Sequence, residues 1–270
     1  MIVARNIGRL GNNMFQIACA IGYAKKYGYQ WAADSGRGLS EPYSSIHQVF
    51  PNLPKSEPYG GIRYQEHPGK HCQLHGRHFD LCHFDYHPIP DMGPNLSLQG
   101  FFQSWKYFEN AEDEVRNTFP LTDYPEMREY ISIHVRRGDY VQHAGSFPPI
   151  TDEYVIDAAT FVMNHTNNIK AKFIVFSDDI QWCRRNIQIY GVEFSEGRSE
   201  YEDLCLMASC SHHVIANSTF SWWAGYLGKN PDRIVVSPSH KRGQWFGLKS
   251  GVVQDCVDLL PPTWKEIIFR

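Results

Sequence analysis

Apolar positions along this chain fall into short runs whose spacing switches repeatedly between the period of a strand and that of a helix. Residues 2–7 form an apolar run that passes into Gly8, Arg9, Leu10, Gly11, Asn12 and Asn13, and Phe15, Ile17, Ala18, Ile21 and Ala24 then recur at helical spacing as far as Tyr27. This reads as strand, glycine-bearing turn and helix, an arrangement that offers backbone N–H groups to a ligand. The glycine spacing is not that of a dinucleotide fingerprint. Residues 34–70, rich in Gly, Pro, Ser and Tyr and without a clear period, read as a long irregular surface insertion. A strand over residues 96–102 and a charged amphipathic helix over residues 107–119 follow, and residues 120–125, bounded by prolines, form the best linker.

Beyond the linker, strands and helices alternate. Strands are expected over residues 131–135, 173–177, 213–216 and 234–237, with helices over 152–164, 180–190, 201–210 and 220–227. Helices between short buried strands imply crossover connections and a parallel sheet, so the fold class is α/β. The expected units are residues 1–124 and 125–270. Loops after the strands at 131, 173 and 213 then face one crevice at the carboxyl edge of the second sheet.

Those loops carry the candidate chemistry. The strand Ile131, Ser132, Ile133, His134, Val135 ends in Arg136, Arg137, Gly138 and Asp139. A guanidinium is planar, permanently charged and able to bridge two phosphate oxygens, so an Arg pair at a strand end suits a diphosphate. An Arg pair solvated at the surface is the alternative. Asp178 and Asp179 close the next strand, where they suit a divalent metal, a hydrogen-bonding ligand edge or the cap of the following helix. Asn217, Ser218, Thr219 and Ser221 stand at a helix start after a strand, placed either to bind phosphate oxygens or simply to cap.

Composition narrows the partners. A net charge of −3 and a pI near 6.5 supply no basic field for nucleic acid, so an anionic partner has to be met by local Arg and Lys placement. No apolar run approaches the ~18 residues of a membrane span, and the opening residues lack the pattern of a signal peptide. The chain reads as cytoplasmic, or as a trimmed lumenal domain. Its 7 cysteines are odd in number and scattered, which favours reduced thiols. His67, His71, Cys72, His75, His78, Cys82, His83 and His87 cluster in sequence, but their spacing matches none of the usual zinc templates. No metal site is expected.

Five ordered motifs carry a family resemblance that runs nearly end to end. They are Gly8 to Gln16, Gly100 to Phe108, His134 to Tyr140, Phe176 to Asp179, and Asn217 to Trp223. With them the chain resembles the α-1,2-fucosyltransferases of glycosyltransferase family eleven, and more distantly the α-1,6- and protein O-fucosyltransferases. Asn13 stands where that family usually has Gln, and residues 37–70 carry no family signature. The resemblance implies a glycosyltransferase B type fold, two Rossmann-like domains facing a cleft, with residues 1–124 on the acceptor side and residues 125–270 binding GDP-fucose. It implies inverting, metal-independent transfer of L-fucose to the 2-hydroxyl of a terminal galactose in a glycan. GDP-fucose is then a co-substrate and no cofactor is needed. A different acceptor sugar or linkage, and a non-catalytic nucleotide-sugar binder, are the alternatives.

Residue by residue, the resemblance makes Arg136 the leading clamp on the departing β-phosphate, where negative charge builds as the sugar leaves. Asp139 and Asn12 join it in the catalytic set. Arg9, Gly11, Asn12, His134, Arg136, Arg137, Asp178, Asn217, Ser218, Thr219 and Ser221 surround GDP-fucose, with Asp178 on the guanine edge and Asp179 capping a helix. Arg137 orders the loop or a neighbouring carboxylate such as Asp139, and Gly8 and Gly11 serve the tight turn. Gln103 and Trp105 lie on the acceptor side, where packing is the competing role for the aromatic ring. Three destinations stay open for the acceptor proton: Asp139, His143 and the departing phosphate itself.

Overall fold

Ile2, Val3 and Ala4 are almost wholly inaccessible, and this buried triplet is β1 (Ile2–Ala4), the centre of the first of two parallel sheets. The computed structural model describes residues 1–35, 45–57, 61–66, 72–74, 77–79, 86–166, 170–241, 243–247 and 256–268. From β1 the chain enters α1 (Leu10–Tyr27), whose apolar residues are buried along most of its length; Gly28, at φ +75°, ends it by closing its N–H on the Ala24 carbonyl. There follow β2 (Trp31–Asp34), α2 (Ile46–Val49), β3 (Lys55–Ser56), β4 (Ile62–Gln65), the hairpin of β5 (Cys72–Leu74) and β6 (Arg77–Phe79), then β7 (Leu96–Gln99) and α3 (Glu112–Thr118). The sheet order is β3-β2-β1-β7-β4, and neighbouring strands pair in parallel throughout.

The second sheet is built from β8 (Tyr130–Val135), α4 (Gly138–Gln142), α5 (Asp152–Thr166), β9 (Lys172–Ser177), α6 (Ile180–Asn186), β10 (Glu193–Phe194), α7 (Glu200–Ser209), β11 (His212–Val214), α8 (Thr219–Tyr226), β12 (Val235–Pro238) and β13 (Lys265–Ile267). Its order is β10-β9-β8-β11-β12-β13, again parallel throughout. Alternation along β8 sends Ile131, Ile133 and Val135 into a core shared with Val155, Ala158 and Val162 of α5. Ser132 and His134 take the opposite face. There Ser132 meets the His213 ring at 2.9 Å. Trp222 and Trp223 of α8 are fully buried and pack edge to face. The chain divides into two compact units, residues 1–120 with 255–261, and residues 121–254 with 262–270.

Several expectations need correction. The region read as one irregular insertion supplies a short helix, α2, and two strands, β3 and β4. β4 is an edge strand with mostly exposed side chains, so it carries no apolar alternation for a sequence to display. The strand expected to reach residue 102 ends at Gln99, because Gly100 at φ +154° and Phe102 at φ +49° turn the chain. The helix expected from residue 107 starts as two 3₁₀ turns, Trp105–Tyr107 and Glu109–Ala111, before α3. α6 stops at Asn186, four residues short of the expected end.

Cys19, Cys183, Cys205, Cys210 and Cys256 are buried free thiols. Most of the His/Cys-rich segment, including the side chains from His67 to His83, lies outside the described residues. Among the described residues no helix is long and apolar enough to cross a membrane.

Candidate active site

In the second sheet the chain leaves β8 toward β9 on one side and returns to β11 on the other, so the order reverses between β8 and β11. Ligands of open α/β sheets bind at the carboxyl ends of strands at such a reversal. The loops that converge there are the three singled out by sequence.

Arg136 follows the last residue of β8, and its side chain is only 16% exposed. Nη1 pairs with Asp178 Oδ2 at 2.5 Å, and Nη2 donates to Asp139 Oδ1 at 2.5 Å. The guanidinium carbon lies 5.4 Å from the centre of the Tyr140 ring, and the Tyr140 hydroxyl donates to the Asn217 carbonyl at 3.1 Å. A guanidinium has five N–H donors, so two carboxylates fix its plane without exhausting them. Gly138 is required by this packing: a Cβ there would fall 2.5 Å from Asp178 Oδ2.

Arg137 does not hold Asp139. Its guanidinium stacks 3.9 Å over the Trp182 ring of α6 and its Nε lies 3.6 Å from Asp179, while Nη1 donates to the Ile150 carbonyl at 3.3 Å. The cause is local. α4 begins at Gly138, so Asp139 lies three residues on from Arg136 and pairs with it. Asp179 caps α6 as expected, accepting from the Trp182 N–H at 3.1 Å. Asp178 engages Arg136 with one oxygen and accepts from the Arg137 backbone N–H at 2.9 Å with the other. Among the described residues no three His, Cys, Asp or Glu side chains are grouped to hold a metal ion.

The loop after β11 splits into two roles. Asn217 and Ser221, read from sequence as ligand contacts, also fasten the loop, and the buried Asn217 Oδ1 makes no hydrogen bond. Asn217 Nδ2 donates to the Pro148 and Trp245 carbonyls at 2.9 and 3.1 Å, tying three loops together. Ser221 Oγ accepts from the Ala216 N–H and donates to the Ser218 carbonyl. Ser218 stands at the start of α8 without a side-chain cap bond, and Thr219 is the first helical residue. The α8 N-terminus thus lies at the reversal point, its positive dipole end toward the loops there.

His134 lies beneath this loop, its ring 5.7 Å from Phe220. Burial pushes its pKa down to about 4, against a smaller opposing pull from Asp178, so it is neutral at pH 7. Its buried Nδ1 makes no hydrogen bond. Glu200, at the start of α7, went unnoticed in the sequence. Burial raises its carboxyl to about 7, opposed by the charge of Arg136. A single acid at a helix start carries no sequence signal beyond capping.

The first sheet reverses between β1 and β7, and the loops there hold the remaining candidates. Gly8, at φ +79°, leaves room for Asn12, whose Nδ2 would be 2.5 Å from a Cβ at that position. Asn13 Nδ2 donates to the carbonyls of Ile7, Gly8 and Arg9, and Gln16 exchanges two hydrogen bonds with the Ile7 backbone. These two residues hold the turn that enters α1, with Arg9 at the helix N-cap and Gly11 and Asn12 in its first turn. Gln103 Nε2 donates to Asn12 Oδ1 at 2.9 Å, joining the loops across the reversal. Trp105, half-buried, begins the first 3₁₀ turn.

Comparison with known proteins finds relatives in sequence and in fold. The family model of Glycosyl transferase family 11 matches residues 84–245, more than half of the chain. An alpha-1,2-colitosyltransferase of Escherichia coli is 33% identical over 194 residues, covering 65% of this chain and 64% of that protein. The galactoside alpha-(1,2)-fucosyltransferase 1 of Homo sapiens is 27% identical over 249 residues, covering 82% of this chain and 63% of that protein. The chain thus spans less than two thirds of the length of these relatives. Among solved structures, the fucosyltransferase NodZ from Bradyrhizobium aligns over 87% of this chain and 94% of its own, with TM-score 0.52 and 15% identity. That likeness is one of fold, the glycosyltransferase B kind with its two parallel α/β sheets.

Proposed function

Because the chain belongs to glycosyltransferase family 11, we propose that it transfers L-fucose from GDP-fucose to the 2-hydroxyl of a terminal galactose, with inversion and without a metal ion. The observation that supports this most is Arg136, largely buried at a sheet reversal and oriented by two carboxylates. In the reaction the bond from fucose C1 to the β-phosphate oxygen breaks and a bond from C1 to the acceptor oxygen forms. Negative charge collects on GDP, and Arg136 with the α8 N-terminus at Ser218 and Thr219 stabilises it. Asp139, ion-paired to Arg136, serves as a positioning group. The acceptor proton leaves to the departing phosphate or to solvent. Asn12 and Gln103, joined in the first unit, are assigned to substrate contact.

The colitosyltransferase relative favours a second donor. Colitose is fucose without its 3-hydroxyl, and the same Arg136 chemistry serves either sugar. The test is GDP release measured with GDP-fucose, GDP-colitose and GDP-mannose, in EDTA and with added Mn²⁺. GDP-fucose is expected to lead with EDTA making less than about a twofold difference. Activity lost in EDTA and restored by Mn²⁺ contradicts the metal-independent mechanism, and a lead for GDP-colitose transfers the donor assignment to that sugar.

A further inference from the structure

Glu66 follows β4 and belongs to none of the sequence motifs, yet it is 3% exposed. Its N–H donates to the Gln99 carbonyl at 2.7 Å, extending the β4–β7 ladder by one residue. The carboxylate then turns over the end of β7. Oε2 accepts from the Phe101 N–H at 2.6 Å, and both oxygens lie within 3.0 Å of the Phe102 nitrogen. Successive backbone N–H groups aimed at one anion form a nest. Here the anion is supplied by the chain itself.

Two features show that the turn is shaped around this carboxylate. A Cβ on Gly100 would lie 2.3 Å from Glu66 Cβ, so only glycine leaves the seat open. Phe102 is held at φ +49°, a region that bulky L-residues avoid unless their surroundings over-determine it. Its ring is fully buried, stacked on Tyr64 at 6.4 Å and edge-on to Tyr107 at 5.3 Å. Among the described residues no cation pairs with Glu66, and burial raises its carboxyl to about 7 against the pull of the two N–H groups. A buried carboxylate without a counter-charge is costly. What the cost secures is the turn, and the residue after that turn is Gln103, itself buried and bonded to Asn12.

We infer that Glu66 is a positioning residue: seated in the nest of the Gly100–Phe102 turn, it sets the Gln103–Asn12 pair in the place from which the pair contacts substrate. The last step rests on the substrate contact assigned to Asn12 and Gln103 under Proposed function; the seating of the turn does not.

The test uses the full chain and Glu66→Gln, which keeps the size but leaves one neutral amide oxygen to accept from both N–H groups. Hydrogen exchange is read at the Phe101 and Phe102 amides, alongside kcat and KM for Glu66→Gln, Gln103→Ala and the double variant. Both amides are expected to exchange about tenfold faster or more in Glu66→Gln, because hydrogen bonds to an ionised acceptor are roughly twice as strong as those to a neutral amide. Transfer is expected to fall in kcat by a similar factor, with the double variant no worse than Gln103→Ala alone, since both changes act on one pair. Unchanged exchange at both amides overturns the proposal, as do losses that multiply in the double variant. Glu66→Asp carries the same readings if the Gln variant does not fold. A wild-type chain that transfers no sugar defeats the proposed function, while the exchange arm still decides the seating of Glu66.

Discussion

Lysine in place of Arg136 lowers turnover on the order of ten- to a thousand-fold, although the charge is kept. An ammonium cannot present two coplanar N–H donors to a phosphate while a third and fourth meet carboxylates on either side. In the structure Arg136 already spends Nη1 on Asp178 and Nη2 on Asp139, and its remaining donors are fixed in direction by those pairs. Removing one oriented donor from a developing oxyanion costs about 10²–10³ in turnover in well-studied cases. The measurement is kcat for GDP release with GDP-fucose, beside the dissociation constant of GDP. A kcat within about threefold of wild type would show that Arg136 is not the leaving-group clamp.

The second large effect is expected at Asp178. Asp178→Ala removes the partner of Arg136 Nη1 and the acceptor of the Arg137 N–H together. Truncating one member of a partly buried, hydrogen-bonded ion pair leaves the other uncompensated, a change worth about 3–5 kcal/mol when burial is complete. Asp178 is 26% exposed on its side chain, so solvent screening reduces that figure and a loss of about tenfold to a hundredfold in turnover is expected. The informative readout is base selectivity. Each Asp178 oxygen already takes one bond within the protein, and if that is its whole role the preference for GDP over ADP stays within about threefold of wild type. A selectivity that collapses with Asp178→Ala returns this residue to the guanine edge, the role implied by family resemblance. Pairing Asp178→Ala with Arg136→Lys adds a check, because two changes to one ion pair are non-additive.

Sequence alone brought the second unit close to its observed form, for a physical reason. Its central strands, β8, β9 and β11, are largely buried, and runs such as Ile131 to Val135 and Phe173 to Phe176 admit few alternatives. The strands that escaped are short or lie at edges. β4 exposes most of its side chains, and β3 and β10 have two residues each. No periodicity develops in so few positions.

The candidate site shows the same division. Motif letters located Arg136, Asp178 and Asn217, but not what each side chain is spent on. Asn217 Nδ2 and Ser221 Oγ, which read as ligand donors on paper, fasten the loop in space. Asp139 pairs with Arg136 and not with its nearer neighbour Arg137, because α4 sets it three residues on, while Arg137 turns to Asp179 and the Trp182 ring. Glu66 and Glu200 were invisible. Each is a lone acid whose meaning comes from elements far along the chain, the β7 turn for one and Arg136 for the other.

Product analysis tests the central claim most directly. The full chain is incubated with GDP-fucose and a glycan ending in β-galactose, and the product is isolated and its linkage determined by methylation analysis and NMR. The account predicts fucose joined α-1,2 to galactose, formed in step with GDP and absent with Arg136→Lys beyond its residual rate. Fucose on another sugar, at another hydroxyl, or no glycoside at all while GDP-fucose still binds would contradict it.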